Sequence, residues 1–253
     1  MLLTNGERIP LNEIKHHLFS FLEAVTMNRK VEILKRVPLF RDLNNQELEK
    51  IAQITSLKEY PKHSTIFMEA QPRTTVYFIE SGVIKVTKVD NQGNEQVISI
   101  LQKGDMFPHV GFFDDSPYPG TAQTIQNSKL LAIPIHDFDR LLDANPQIAK
   151  SVMKIMAVKI LQLQRRLQEV ISGDVYHKVV MTLLRLVDEY GVSKDKSIFI
   201  SLPLTHQDFA NMLGLSRESV NRVLNQLKKE NLIDVSRKGI KILDLKTLQD
   251  KLS

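Results

Sequence analysis

The sequence contains no cysteine, which excludes disulfides, cysteine-ligated iron–sulfur clusters, zinc knuckles and thiol catalysis from this chain. No stretch approaches the roughly 20 apolar residues that span a bilayer, and the first residues, MLLTNGERIPLNEIK, lack a signal peptide's basic region followed by an apolar run. No membrane association and a cytoplasmic location are therefore expected. The motifs of enzymatic chemistry are missing too: there is no phosphate-cradling glycine-rich loop, no nucleophile elbow and no HExxH metal pair. Asp114-Asp115 resembles a catalytic carboxylate pair only superficially, because nothing supplies a nucleophile or metal partner, and no enzyme is expected. The adjacent His16 and His17 would point about 100° apart on a helix, so no shared metal is expected either.

What is present suits two ordinary domains. The chain has 253 residues, 42% of them hydrophobic, enough to bury a core in each. Thirty-four Lys and Arg against 29 Asp and Glu leave a formal charge of +5, which suits an anionic partner without demanding one. Leu11, Ile14, Leu18, Phe21, Leu22 and Val25 recur at helical spacing, and Asn44 to Thr55 reads as a short helix capped by Asn44 with Leu48, Ile51 and Ile54 on one face. From about Thr65 to Pro134 the period changes. Short apolar runs, Ile66–Met68, Val76–Ile79, Val83–Val89, Gln96–Leu101 and Leu130–Ile133, alternate with turns at Ser81-Gly82, Asn91–Asn94 and Lys103–Asp105, the pattern of antiparallel strands closing into a barrel or roll.

Helical spacing returns after Pro146. Ala149, Met153, Met156, Ile160, Leu163, Leu167 and Val170 step by alternating fours and threes, an a/d seam that needs a partner helix and points to a parallel homodimer. Ser172-Gly173-Asp174 interrupts it: the glycine suits a helix stop, and Asp174 can cap the next helix. Thr205 to Leu227 then reads as two helices around a turn at Gly214-Leu215. Thr205 with Asp208 makes a capping-box start, Ala210 lets the helices cross closely, and Ser216 caps the second helix. On that helix Arg217, Glu218, Asn221, Arg222 and Asn225 share one side, while Val220, Val223, Leu224 and Leu227 centre about 140° away. One face packs and the other reads: arginine bonds guanine O6 and N7, and glutamate accepts from cytosine N4. Val235 to Ile242 follows as two short strands around the basic turn Arg237-Lys238, a wing placed to meet phosphate.

In this order of parts, and in SRESVNR from Ser216 to Arg222, the chain resembles the Crp/Fnr family of bacterial transcription regulators over nearly everything beyond the first 35 residues. The resemblance implies an α+β fold: a helical extension over 1–35, a cyclic-nucleotide-binding-like antiparallel β-roll over 36–147, a dimerisation helix over 148–172 and a winged helix-turn-helix over 173–253. It implies base contacts from Arg217, Glu218 and Arg222, and backbone or supporting roles for Thr205, Gln207, Ser216, Ser219, Asn221, Arg237 and Lys238. The operator would resemble TGTGA-N6-TCACA, read by two helices about one DNA turn apart. Double-stranded DNA and a second copy of the chain are the expected partners, with RNA polymerase a further candidate.

The usual trigger is altered. Where cyclic-AMP-responsive members carry a Gly-Glu pair for the ribose and Arg-Ser-Ala for the phosphate, this chain has Pro108-His109, with Gly120 in place of the arginine, although Gly111, Thr121 and Ala122 align. Leu163 and Gln164 stand where the long helix would meet the adenine. Cyclic AMP is not expected, and Asp114 and Asp115 repel an anion further. Three readings stand for a pocket of His109, Gly111, Thr121, Leu163 and Gln164. It takes another effector, it takes haem on His109, or it takes nothing and abundance sets activity, so that no cofactor is needed. From a different class, the roll acts as a module that controls a partner protein.

Overall fold

Eight short strands of the region 56–134 fold into two four-stranded antiparallel sheets because most of them are apolar on the face that points inward. The computed structural model describes residues 24–91, 93–109, 116–171, 174–194, 197–236 and 239–252, with only the backbone described for 165–171 and 194. One sheet has the order β1 (Ser56–Tyr60), β8 (Ser128–Pro134), β3 (Thr75–Ser81), β6 (Met106–Phe107); the other runs β2 (Thr65–Phe67), β7 (Thr121–Thr124), β4 (Val83–Val89), β5 (Glu95–Gln102). In β3, Tyr77 and Ile79 face the roll interior with Phe67, Phe107 and Leu130, whereas Val76 and Phe78 join the cluster under the helices. Successive strand residues point to opposite faces, so a strand covered on both sides carries a continuous apolar run.

The helical cover consists of α1 (24–34), a 3-10 turn (Pro38–Phe40), α2 (Asn45–Ile54) and α3 (Ile135–Ala144). Asn44 accepts from the Glu47 amide and the Glu47 carboxylate accepts from the Asn44 amide, a full capping box that starts α2 where the sequence places it. Of the expected N-terminal helix face, Val25 lies on α1 and is exposed; the remaining five residues lie outside the described residues.

The long helix α4 (Pro146–Ile171) has two apolar faces. Ile148 and Val152 are buried against the roll, with Ile155 and Met156 packed beside them. Met153, Ile160 and Leu163 stay 57%, 57% and 58% exposed. The expected seam therefore divides: Met156 leans on its own domain instead of pointing outward with the others. At about 100° per residue, Met156 and Leu163 lie roughly 60–80° round the helix from Met153, toward the buried Val152, so this side of the row is the one that borders the roll. Ala149 is half-buried at the near end of the row, and the side chains of Leu167 and Val170 lie outside the described residues.

Asp174 caps α5 (Val175–Tyr190) by accepting from the His177 amide at 2.9 Å. The C-terminal domain continues with β9 (Gly191–Lys194), β10 (Ser197–Ile200), α6 (His206–Leu213), α7 (Arg217–Lys229), β11 (Ile233–Ser236), β12 (Gly239–Ile242) and α8 (Leu245–Asp250). The expected two-stranded wing is the outer half of a four-stranded sheet, β11-β12-β10-β9. Leu183, Phe209, Ala210, Leu224 and Ile233 are among the residues that form its core, and Val83, Val97, Ile100 and Ile125 of the roll are buried in the same cluster.

Candidate nucleic-acid interface and roll cavity

The two-helix unit is set by its caps. Thr205 accepts from the Asp208 amide at 3.0 Å while Asp208 accepts from the Thr205 amide at 3.0 Å, so α6 starts at a closed capping box. Gly214 leaves α6 at φ 63°, a left-handed conformation in which a side chain costs energy and glycine does not. Ser216 then accepts from the Ser219 amide at 3.2 Å and donates its hydroxyl to that of Ser219 at 2.9 Å, so both serines are used in starting α7. Val220, Val223, Leu224 and Leu227 are buried, and Arg217, Glu218, Arg222 and Asn225 are exposed on the other side. Among the described residues no ion pair engages Arg217, Glu218 or Arg222, so their charge faces solvent.

Gln207 is exposed and donates to Asn211 at 2.7 Å. Asn221 is half-buried, and its Oδ1 has no hydrogen-bond partner among the described residues. Arg237 and Lys238 lie outside the described residues; β11 and β12 run up to them on either side.

A cavity of about 190 Å³ opens between the roll interior, α4 and the end of α5. Its apolar wall includes Phe67, Ile98, Phe107 and Leu163, and its polar groups include His109, Lys159 and Tyr190. Burial, with the nearby Lys159 charge, pushes the His109 imidazole down to about 4, and its Nε2 is buried without a partner among the described residues. Lys159 lies 3.8 Å from Asp105, whose carboxyl is pushed up by burial more than the ammonium pulls it down.

Of the sequence-expected pocket, His109 and Leu163 line this cavity. Gln164 points elsewhere and is exposed; its place on the wall is taken by Gln162, on the face of α4 that turns to the roll. Thr121 is half-buried and accepts from the Glu69 amide at 3.0 Å, a bond that ties β7 to the loop beyond β2. Gly111 lies outside the described residues. At Gly120 a Cβ would stand 2.7 Å from the Thr87 carbonyl oxygen and 3.0 Å from Ile98 Cδ1, so no arginine fits on this backbone. Lys159 and Tyr190 were not expected from the sequence. Lys159 sits one turn before Leu163 and was findable from helical spacing, but Tyr190 reaches the cavity only through the packing of the two domains.

That packing is polar as well as apolar. Tyr190 donates its hydroxyl to the Ile100 carbonyl at 2.9 Å, and Lys85 of β4 donates to Asp208 of α6 at 2.9 Å and to Glu95 at 3.0 Å. Among the described residues no cluster of metal-binding side chains occurs, and no helix is long and apolar enough to cross a membrane.

Comparison with known proteins matches residues 57–145 to the cyclic nucleotide-binding domain and residues 177–251 to the Crp-like helix-turn-helix domain. The chain is 29% identical over 208 residues to an anaerobic regulatory protein of Bacillus subtilis, covering 81% of this chain and 87% of that one. It is 25% identical over 217 residues to a CRP-like cAMP-activated global transcriptional regulator of Mycobacterium tuberculosis, covering 86% and 97%. The fold is shared with FixK2 of Bradyrhizobium japonicum at a TM-score of 0.68 and 18% identity, over 78% of this chain and 96% of that one.

Proposed function

From the chain's membership of the Crp/Fnr family of DNA-binding transcription regulators, we propose that it acts in the cytoplasm as a homodimer that reads a palindrome resembling TGTGA-N6-TCACA and catalyses no reaction. The observation that carries the reading is the exposed face of α7, where Arg217, Glu218 and Arg222 stand free of ion pairs among the described residues while the opposite face is buried. Each bidentate base contact discriminates by about 1–3 kcal/mol. Ser216, Ser219, Thr205 and Gln207 lie at the starts of the two helices, where amides and hydroxyls favour phosphate. The second copy is supported by the apolar stripe of Met153, Ile160 and Leu161 on α4, each more than half exposed.

The roll is proposed as an effector site for something other than cyclic AMP. Gly120 has no room for the arginine that would hold a cyclic phosphate, and Pro108-His109 offers the ribose no carboxylate. A volume of about 190 Å³ is far below that of a porphyrin, so the cavity favours a small molecule over haem. A gel-shift titration tests the DNA reading: the protein should prefer the palindrome to scrambled DNA, and Arg222→Ala should lose that preference while keeping salt-sensitive binding to both. Equal weakening on the two DNAs would remove Arg222 from base reading, and no preference by the unaltered protein would sink the operator assignment.

A further inference from the structure

Resting on that effector reading, we infer that the cavity takes a small uncharged molecule, about one substituted aromatic ring in size with a single hydroxyl-like group, and that the two domains hold it together.

Size comes first. A cavity of about 150 Å³ lined by aliphatic and aromatic side chains accommodates one benzene ring, and this one measures about 190 Å³ with Phe67, Ile98, Phe107 and Leu163 on its wall. That leaves room for a ring and little more. Charge narrows the class. The two charged side chains on the wall each already face an opposite charge: Lys159 has Asp105 at 3.8 Å, and Glu189 has Arg185 at 3.1 Å. Two cations balance two anions, so a ligand bringing a net charge would bury it without a counter-ion, which is costly. Hydrogen bonding fixes the functional group. The His109 ring lines the cavity and is uncharged near neutrality, and its buried Nε2 lacks a partner among the described residues. Orphaned buried acceptors are rare in folded proteins, and one hydroxyl reaching the ring nitrogen satisfies it.

The walls belong to both domains. Strand β5 supplies Ile98 to Leu101, α4 supplies Lys159 and Leu163, and the last turn of α5 supplies Glu189 and Tyr190. Tyr190 is already bonded to the Ile100 carbonyl at 2.9 Å. A molecule seated here touches the roll and the first helix of the DNA-binding domain of the same chain, and its binding stabilises the arrangement in which they meet.

The probe is p-cresol, titrated calorimetrically into the full-length protein, with benzoate and cyclic AMP as charged counterparts. The expected result is one saturable site per chain for p-cresol and no saturable heat from either anion. His109→Leu should weaken p-cresol at least fivefold, and Ser99→Leu, which fills the cavity from the β5 wall, should abolish binding with the circular dichroism spectrum unchanged. If Ser99→Leu fails to fold, His109→Leu still decides. Hydrogen exchange completes the test: p-cresol should slow amides both in 95–102 and in 186–190. No saturation by p-cresol, equal binding of benzoate, an unaltered affinity in His109→Leu, or protection confined to the roll overturns the inference. The palindrome gel shift, run on the same preparation without probe, separates the two ideas: DNA preference with no p-cresol site sinks this one alone, and a p-cresol site without DNA preference sinks the operator reading alone.

Discussion

At position 120 the choice of residue is a matter of room. A Cβ there would sit 2.7 Å from a backbone carbonyl oxygen that cannot swing away as a side chain can, with Val86 and Ile98 methyl groups close behind. Overpacking of this kind costs about 1–3 kcal/mol even when the neighbourhood relaxes. The absence of an arginine is therefore more than a lost charge, because the strands have closed over the space its side chain would use. Placing the charge there should not create a cyclic AMP site. Gly120→Arg is expected to lower the thermal midpoint by several degrees, since about 1 kcal/mol corresponds to roughly 2–4 °C in a protein of this size, and to show no saturable heat with cyclic AMP. A midpoint unchanged within a degree, or a cyclic AMP isotherm, would mean that the roll opens at this point more readily than the packing of Thr87 and Ile98 implies.

The element on which the proposed dimer rests is α4, a helix of 26 residues that serves its own domain with one face and leaves another bare. Ile148, Val152 and Ile155 hold it to the roll, and Met153, Ile160 and Leu161 remain uncovered. Ile160 is the cleanest probe of the bare face, because Leu163 also lines the cavity and a change there would mix two effects. Ile160→Glu should give monomers in sedimentation velocity while circular dichroism and the roll's thermal transition stay as they were. A dimer that survives would place the interface elsewhere. How much of such an element shows in sequence depends on who covers it. The caps at Asn44, Asp174, Thr205 and Ser216 are local chemistry and are legible to the residue. Strands β3, β4, β5 and β8 carry apolar runs and are legible within one or two residues. Strand β1, reading SLKEY with all five residues at least partly exposed, and β7, reading TAQT, have no such run; they are strands because β8 and β4 offer them backbone partners. The exposed polar face of α7 follows the 3.6-residue period. The α5 wall of the cavity does not, because it is made by domain packing, which leaves no periodic trace in either segment.

At the scale of the whole molecule, the chain's continuation from α4 to α5 is one of several ties between the domains. Lys85 on the roll reaches Asp208 at the start of α6, each side chain only 12% exposed, beside the buried Val83, Val97 and Ile100. Burial pushes the Asp208 carboxyl up, but hydrogen bonds from Lys85 and Thr205 outweigh it and hold the group below the ordinary carboxylate range. Burial likewise disfavours the Lys85 ammonium, and its bonds to Asp208 and Glu95 more than compensate. A carboxyl whose folded pKa is depressed contributes stability that is present above its unfolded value, near 4, and is lost as pH falls through the folded value. The pair therefore ties the domains at neutral pH and lets go in acid. Calorimetry at pH 7 should show one joint transition, splitting into two below about pH 4 as Asp208 takes up a proton. Lys85→Met should bring the same split at pH 7 and cost about 2–3 kcal/mol, toward the low end for breaking a buried pair because some water reaches this one. The cycle with Asp208→Asn then isolates the pair: a coupling above about 1 kcal/mol is expected, and additivity within about 0.5 kcal/mol would show that the apolar contacts alone hold the domains together. Because Asp208 also closes the cap at Thr205, loosening this pair should free the N-terminal end of α6, the helix that precedes the proposed reading helix α7. Lys85→Met should thus weaken binding to the palindrome while leaving the ratio between palindrome and scrambled DNA nearly unchanged, in contrast to Arg222→Ala, which should collapse that ratio.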